Sequence, residues 1–214
     1  PITSIKQALE YRKKIMDLDN RGNPLMTLYL HITIPKEDLY VFKNYPEMIG
    51  IKYYPKSATT NSGKGVDNIE TVIPILEIME KEKIPLLVHG ENASCNIDIF
   101  HREKIFLENE LTFIITKFPK LKVILEHIST KEAVDFVLKH NLYATITPHH
   151  ITLDRNDIFK GGINPHLYCL PILKRRKHQK ALVKAATSGN KKFFLGTDSA
   201  PHLVNQKETS CGCA

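Results

Sequence analysis

Tryptophan is absent from the 214 residues, and cysteine occurs four times, at Cys95, Cys169, Cys211 and Cys213. Four cysteines in a chain of this size make no disulfide scaffold, so a reduced cytosolic setting is expected. The C-x-C pair Cys211/Cys213 has no two further close ligands with which to close a structural zinc site. No apolar run approaches the roughly 20 residues that span a bilayer. Pro1-Ile2-Thr3-Ser4 offers neither the basic nor the apolar region of a secretory leader. The expectation is therefore a cytoplasmic protein with no membrane partner. Repeats, low-complexity tracts and Gly/Ser linkers are also missing, which predicts one domain over residues 1–214. The first residue is Pro rather than Met, which raises the expectation of sequence upstream.

What is present reads as an ordinary globular chain, 42% hydrophobic and 25% charged, long enough to bury a core. The net charge of +7 leaves two readings open, nucleic acid or a small anionic substrate. The densest basic run is Lys174-Arg175-Arg176-Lys177. Without aromatic residues interleaved it reads as a solvated helix face, and no nucleic-acid partner is expected.

Six short segments rich in β-branched, aliphatic and aromatic residues recur at 25–30, 50–54, 85–89, 123–127, 144–147 and 193–198. Their near-continuous apolar character suits strands covered on both faces, as in a parallel sheet. Between them lie helical patterns. Ile69, Val72, Ile73, Leu76 and Met79 keep a helical period over 66–83 despite Pro74. Ser129 and Glu132 stand at capping-box spacing before an apolar stripe, and 172–187 alternates basic and apolar residues up to Ser188-Gly189. Strand and helix in alternation mean an α/β fold.

Lys52, His89, His127 and Asp198 each fall at or near the C-terminal end of a different strand segment. In a parallel barrel those ends converge on the face that carries active sites. One histidine at a strand end is an ordinary satisfied polar residue; two with an acid and a lysine on four strands point to a metal site. For Lys52 two readings stay open. Burial disfavours an ammonium, and a neutral amine can take up carbon dioxide as a carbamate able to bridge two cations. Alternatively the amine snorkels to the rim. The polar loop Ser57–Lys64 is either a plain connection or a lid.

At these residues the chain resembles a known family. IKYYPKSATTNS (51–62), LLVHGE (86–91), LEHIST (125–130), ATITPHH (144–150), NPHLYCLPILKR (164–175), FLGTDSAPH (194–202) and the tail KETSCGCA (207–214) resemble bacterial-type dihydroorotases in order and spacing. The resemblance implies a TIM (β/α)8 barrel of which about six βα units are present. It implies a zinc-dependent hydrolase of cyclic amides, interconverting N-carbamoyl-L-aspartate and L-dihydroorotate in pyrimidine synthesis. Two zinc ions would be held by Lys52 as N6-carboxylysine, His89, His127 and Asp198, with Asp198 also shuttling the proton. Thr59 and Thr60 fall on the loop that closes over substrate, and His202, with backbone at Leu170 and Ala214, at substrate contacts. Tyr54 is expected to pack rather than react. A homodimer is implied as well.

The family's first strand carries a His-x-His pair and a nearby arginine, and its second an asparagine; no His-x-His occurs here. His149 and His150 are adjacent, and adjacent residues on a strand would face opposite ways. The expectation is an internal fragment lacking the first two strands and the C-terminal helices, inactive alone. Two rivals are another cyclic amidase, such as a hydantoinase-like protein, and a catalytically dead barrel serving as a scaffold.

Overall fold

The computed structural model of the chain describes residues 1–59, 62–210 and 212. All six apolar segments become strands: β1 (Met26–Tyr29), β2 (Met48–Tyr53), β3 (Leu86–His89), β4 (Val123–Glu126), β5 (Tyr143–Ile146) and β6 (Phe193–Leu195). They form one sheet in sequential order, and every neighbouring pair is parallel. Parallel neighbours need crossovers, and helices supply them. An order that never reverses has no topological switch point, so the sheet is built like a barrel wall rather than a doubly wound fold.

The helices are α1 (Ile5–Leu18), α2 (Lys36–Val41), α3 (Ile73–Glu82), α4 (Arg102–Phe106), α5 (Thr112–Lys117), α6 (Lys131–Lys139), α7 (Pro148–Thr152), α8 (Arg176–Ala186) and α9 (Val204–Lys207). A π-helical turn, Leu107–Leu111, joins α4 to α5. Leu28, Ile51, Leu86, Val88, Leu125 and Ala144 from the strands are fully buried against Ala8, Leu39, Leu76, Met79, Phe106 and Val137 from the helices. Burying both kinds of apolar face together supplies the main favourable term of folding.

Three local expectations are refined. Pro74 does not interrupt the 66–83 pattern, because it occupies the first turn of α3, where a missing N–H costs nothing. The capping box is displaced by one residue. Thr130, not Ser129, caps α6 by accepting from Ala133 N at 3.1 Å. Ser129 is turned inward, giving its N–H and hydroxyl to the buried Glu103 at 2.9 and 3.0 Å. The helix expected from 172 starts at Arg176, because Ile172 and Leu173 are drawn into a small core with Ile158.

The residue after β6 is glycine for a steric reason. A Cβ on Gly196 would lie 2.8 Å from Thr145 Cβ, so only glycine lets the chain pass Thr145 and turn toward Asp198.

Candidate active site at the C-terminal strand ends

Thr59, His89, His127, Leu170, Asp198 and His202 line one cavity of about 250 Å³. Parallel register explains the convergence, since the β2, β3, β4 and β6 ends all open on one face. His89 is the last residue of β3, His127 follows β4 directly, and Asp198 lies three residues beyond β6.

His89 and His127 face each other, with Nδ1 of the first 3.2 Å from Nε2 of the second. His89 Nε2 lies 2.9 Å from Glu91 Oε2, and both side chains are buried. A carboxylate accepts, so the His89 proton is assigned to Nε2 and the Nδ1 lone pair is left facing His127. Burial pushes the His127 imidazole well below its usual pKa, and His89, Lys52 and His150 act in the same direction. His127 is therefore held in its neutral form where it faces His89.

Such a pair fits a divalent cation. Two nitrogens each ~2.0–2.1 Å from a tetrahedral zinc stand about 3.3 Å apart, close to the 3.2 Å seen here. His127 Nδ1 is buried without a hydrogen-bond partner among the described residues. His127 N donates to Thr145 Oγ1 at 2.6 Å. His127 and Asp198 also take φ of 44° and 50°, a left-handed backbone unusual outside glycine. Strain of this kind gathers where surrounding structure fixes a functional side chain.

Lys52 is buried near the C-terminal end of β2. The side chain is 11% exposed, so it does not snorkel. Nor is its amine alone: Nζ pairs with the Glu126 carboxylate across the intervening strand and lies 4.8 Å over the Tyr54 ring. Tyr54 stacks between Tyr29 and His89, with centroids at 5.5 and 5.9 Å, and burial lifts its hydroxyl to about 12, so it packs.

Among the described residues of 57–64, Thr59 and Ser62 bond each other. Thr59 N donates to Ser62 Oγ at 2.7 Å, Ser62 Oγ donates back to Thr59 O at 2.8 Å, and Ala58 and Ser62 are buried. Thr60 and Ala214 lie outside the described residues, as do Cys211 and Cys213.

His149 and His150 lie on α7, not on a strand, and with Cys169 they bring three potential ligand atoms within 4.8 Å of one another. Hydrogen bonds already occupy this cluster. His150 Nε2 donates to Pro171 O at 2.9 Å, and Nδ1 accepts from Thr147 Oγ1 at 2.6 Å. Cys169 Sγ donates to Pro171 O at 3.4 Å, and burial lifts the thiol to about 11. The group ties the Leu170–Pro171 backbone to α7 and so fixes Leu170 at the cavity wall.

Sequence reasoning gave no role to Glu91 or Glu126, although both stand inside quoted segments. At Gly90, between His89 and Glu91, a Cβ would lie 2.6 Å from Leu125 Cδ1, so a larger residue would have to push that buried side chain aside.

A family model described as CO dehydrogenase beta subunit/acetyl-CoA synthase epsilon subunit matches residues 48–157. That stretch runs from β2 past α7 and leaves out Leu170, Asp198 and His202, so it takes in strand–helix alternation without half of the cavity. Other relatives match the whole chain. The dihydroorotase of Acaryochloris marina (strain MBIC 11017) is 53% identical over 219 residues, covering 100% of this chain and 64% of that protein. A solved dihydroorotase from Campylobacter jejuni is 40% identical with a TM-score of 0.86, covering 94% of this chain and 59% of its own. The Saccharomyces cerevisiae dihydroorotase solved in complex with 5-fluoroorotic acid is 34% identical with a TM-score of 0.90, covering 100% of this chain and 63% of its own. The chain thus spans 64% of the length of the curated relative it matches. The sheet is of TIM-barrel type. Likeness that takes in every wall of the cavity outweighs a match that ends at residue 157, and this chain belongs to the dihydroorotase family.

Proposed function

We propose that this chain carries most of the active site of a zinc-dependent dihydroorotase, which interconverts N-carbamoyl-L-aspartate and L-dihydroorotate plus water in pyrimidine synthesis. The observation that carries the reading is the 3.2 Å approach of His89 Nδ1 to His127 Nε2 beside Asp198 in one cavity. His89, His127 and Lys52 would hold one zinc ion, and Asp198 with Lys52, as its carbamate, a second. A bound divalent ion supplies Lewis acidity, acidifying water and polarising the ring amide carbonyl.

The chain's own residues do the rest. Asp198 Oδ takes a proton from the attacking water and returns one to the leaving ring nitrogen. His202 and the Leu170 backbone orient the substrate, whose carboxylate suits a positively charged protein. Thr59 and Thr60 close over it and exclude water. Carboxylation would turn Lys52 from a cation into an anion, so its Glu126 contact must be given up on metal loading.

NPHLYCLPILKR favours this substrate over that of another cyclic amidase. A cytoplasmic homodimer is part of the same reading; no helix of the described residues is long and apolar enough to cross a membrane. The test is L-dihydroorotate hydrolysis by the full-length, zinc-loaded protein. Asp198→Asn should lower kcat by a factor of 10² or more with zinc content retained at the His89–His127 side. Activity on hydantoin but not on dihydroorotate would overturn the substrate.

A further inference from the structure

A second cavity, of about 430 Å³, shares no lining residue with the first. It lies between the loop ahead of α4, α4 itself and the start of α8. Five of its lining residues are lysine or arginine, namely Lys104, Arg155, Lys174, Arg175 and Lys177, against the acids Asp98 and Glu132. Of the basic run, Arg175, Arg176 and Lys177 are exposed, as a solvated face requires, and Lys174 is buried. Arg176 turns away to Asp154 at 3.5 Å, while the other three line the cavity.

Lys174 is the informative member, only 4% exposed. Its Nζ donates to Ile172 O at 3.0 Å, which occupies one of three N–H donors. An ammonium taken out of water is costly unless it is compensated, and carbonyl contact alone is weak compensation. Burial lowers the pKa of Lys174, and the charges of the buried Glu91 and Glu103 offset part of that fall. Arg155 is oriented by stacking over Phe100 at 5.3 Å, which leaves the edge of its guanidinium fork for an oxyanion. The eleven-residue helix α8 has Arg175 at its N-cap with no side-chain cap; His178 N donates to Arg175 O at 2.8 Å, which leaves the amides of Arg176 and Lys177 at the cavity end of the helix.

We propose that this cavity binds a small phosphate-bearing anion through Arg155, Lys174, Arg175, Lys177 and the first amides of α8. The site is concave, of ligand size, and combines a desolvated ammonium, guanidinium forks and a helix N-terminus, the three groups that recognise phosphate oxygens best. Inorganic phosphate and a phosphomonoester share that chemistry.

Calorimetry on the full-length, zinc-loaded protein tests it, with inorganic phosphate, pyrophosphate and glycerol 3-phosphate as probes. One saturable site per chain is expected, and the tightest of the three tells a free phosphate from an esterified one. Arg175→Ala/Lys177→Ala replaces two exposed side chains and should weaken binding at least tenfold with dihydroorotate turnover unchanged. Arg155→Lys keeps charge without the fork and should fall between. Saturating dihydroorotate should leave the isotherm unaltered. Absence of saturable binding, an isotherm untouched by the double variant, or displacement of phosphate by dihydroorotate would each overturn the proposal. So would tighter binding of a short oligonucleotide than of all three probes, since the cavity holds a small anion.

Discussion

Glu91 Oε2 and His89 Nε2 are 2.9 Å apart, two residues separated in sequence by a glycine and by almost nothing in space. The contact fixes which imidazole nitrogen keeps its proton and aims the other at His127. Glu91→Ala should therefore loosen zinc at the His89–His127 side by 10–100-fold, read by chelator competition. Glu91→Gln keeps an acceptor and should lose less. Equal zinc retention in the native protein and the alanine variant would remove Glu91 from the positioning role.

Lys52 offers a test of the carbamate. Lys52→Arg retains a cation for Glu126 but cannot take up carbon dioxide. Metal content in the full-length protein should drop below two per site, and the dependence of metal reloading on bicarbonate should vanish. Full occupancy with native turnover in that variant would sink the bridging role.

Thr59 and Ser62 line the cavity and bond each other. Replacing Thr59 and Thr60 with alanine should lower kcat and kcat/KM together while leaving metal content intact, because lid contacts strengthen as the reaction proceeds. An unchanged kcat/KM would exclude the loop from catalysis.

His150 gives a pH prediction. Burial, reinforced by His149, pushes its folded-state pKa down from 6.5 to about 3. Below pH 6.5 the unfolded chain binds a proton that the folded chain refuses, so this contribution is full above 6.5 and is lost as pH falls toward about 3. Between pH 6.5 and 5 the loss amounts to about 2 kcal/mol at most. Urea unfolding of His150→Gln should show a flatter acid limb than the native protein; parallel curves would mean His150 titrates normally when folded.

Residues 1–214 expressed alone should not hydrolyse dihydroorotate even with zinc supplied, whereas the full-length protein should. The motive is that no His-x-His occurs in the sequence and that the chain spans 64% of the length of its relative. β1 and β6 bound the described sheet, and unpaired strand edges also invite aggregation. Comparable activity in the two proteins would show the 214 residues to be self-sufficient.

The six strands were legible in the amino-acid order, because near-continuous apolar runs of strand length between turn residues suit a sheet covered on both faces. That order also located Lys52, His89, His127 and Asp198, because parallel strands all end on one face, and position along a strand is a local property. Which partners these and other polar groups meet follows from the assembled fold. The Lys52–Glu126 pair joins residues 74 positions apart, and the Glu103 bonds that draw Ser129 away from the α6 cap span 26. Neither choice of partner carries a local signal, since a buried polar group is satisfied by whatever folding brings within reach. The basic run shows the same limit: its composition was plain, but which of its cations would face water and which a cavity depended on where Ile172 and Leu173 found a core.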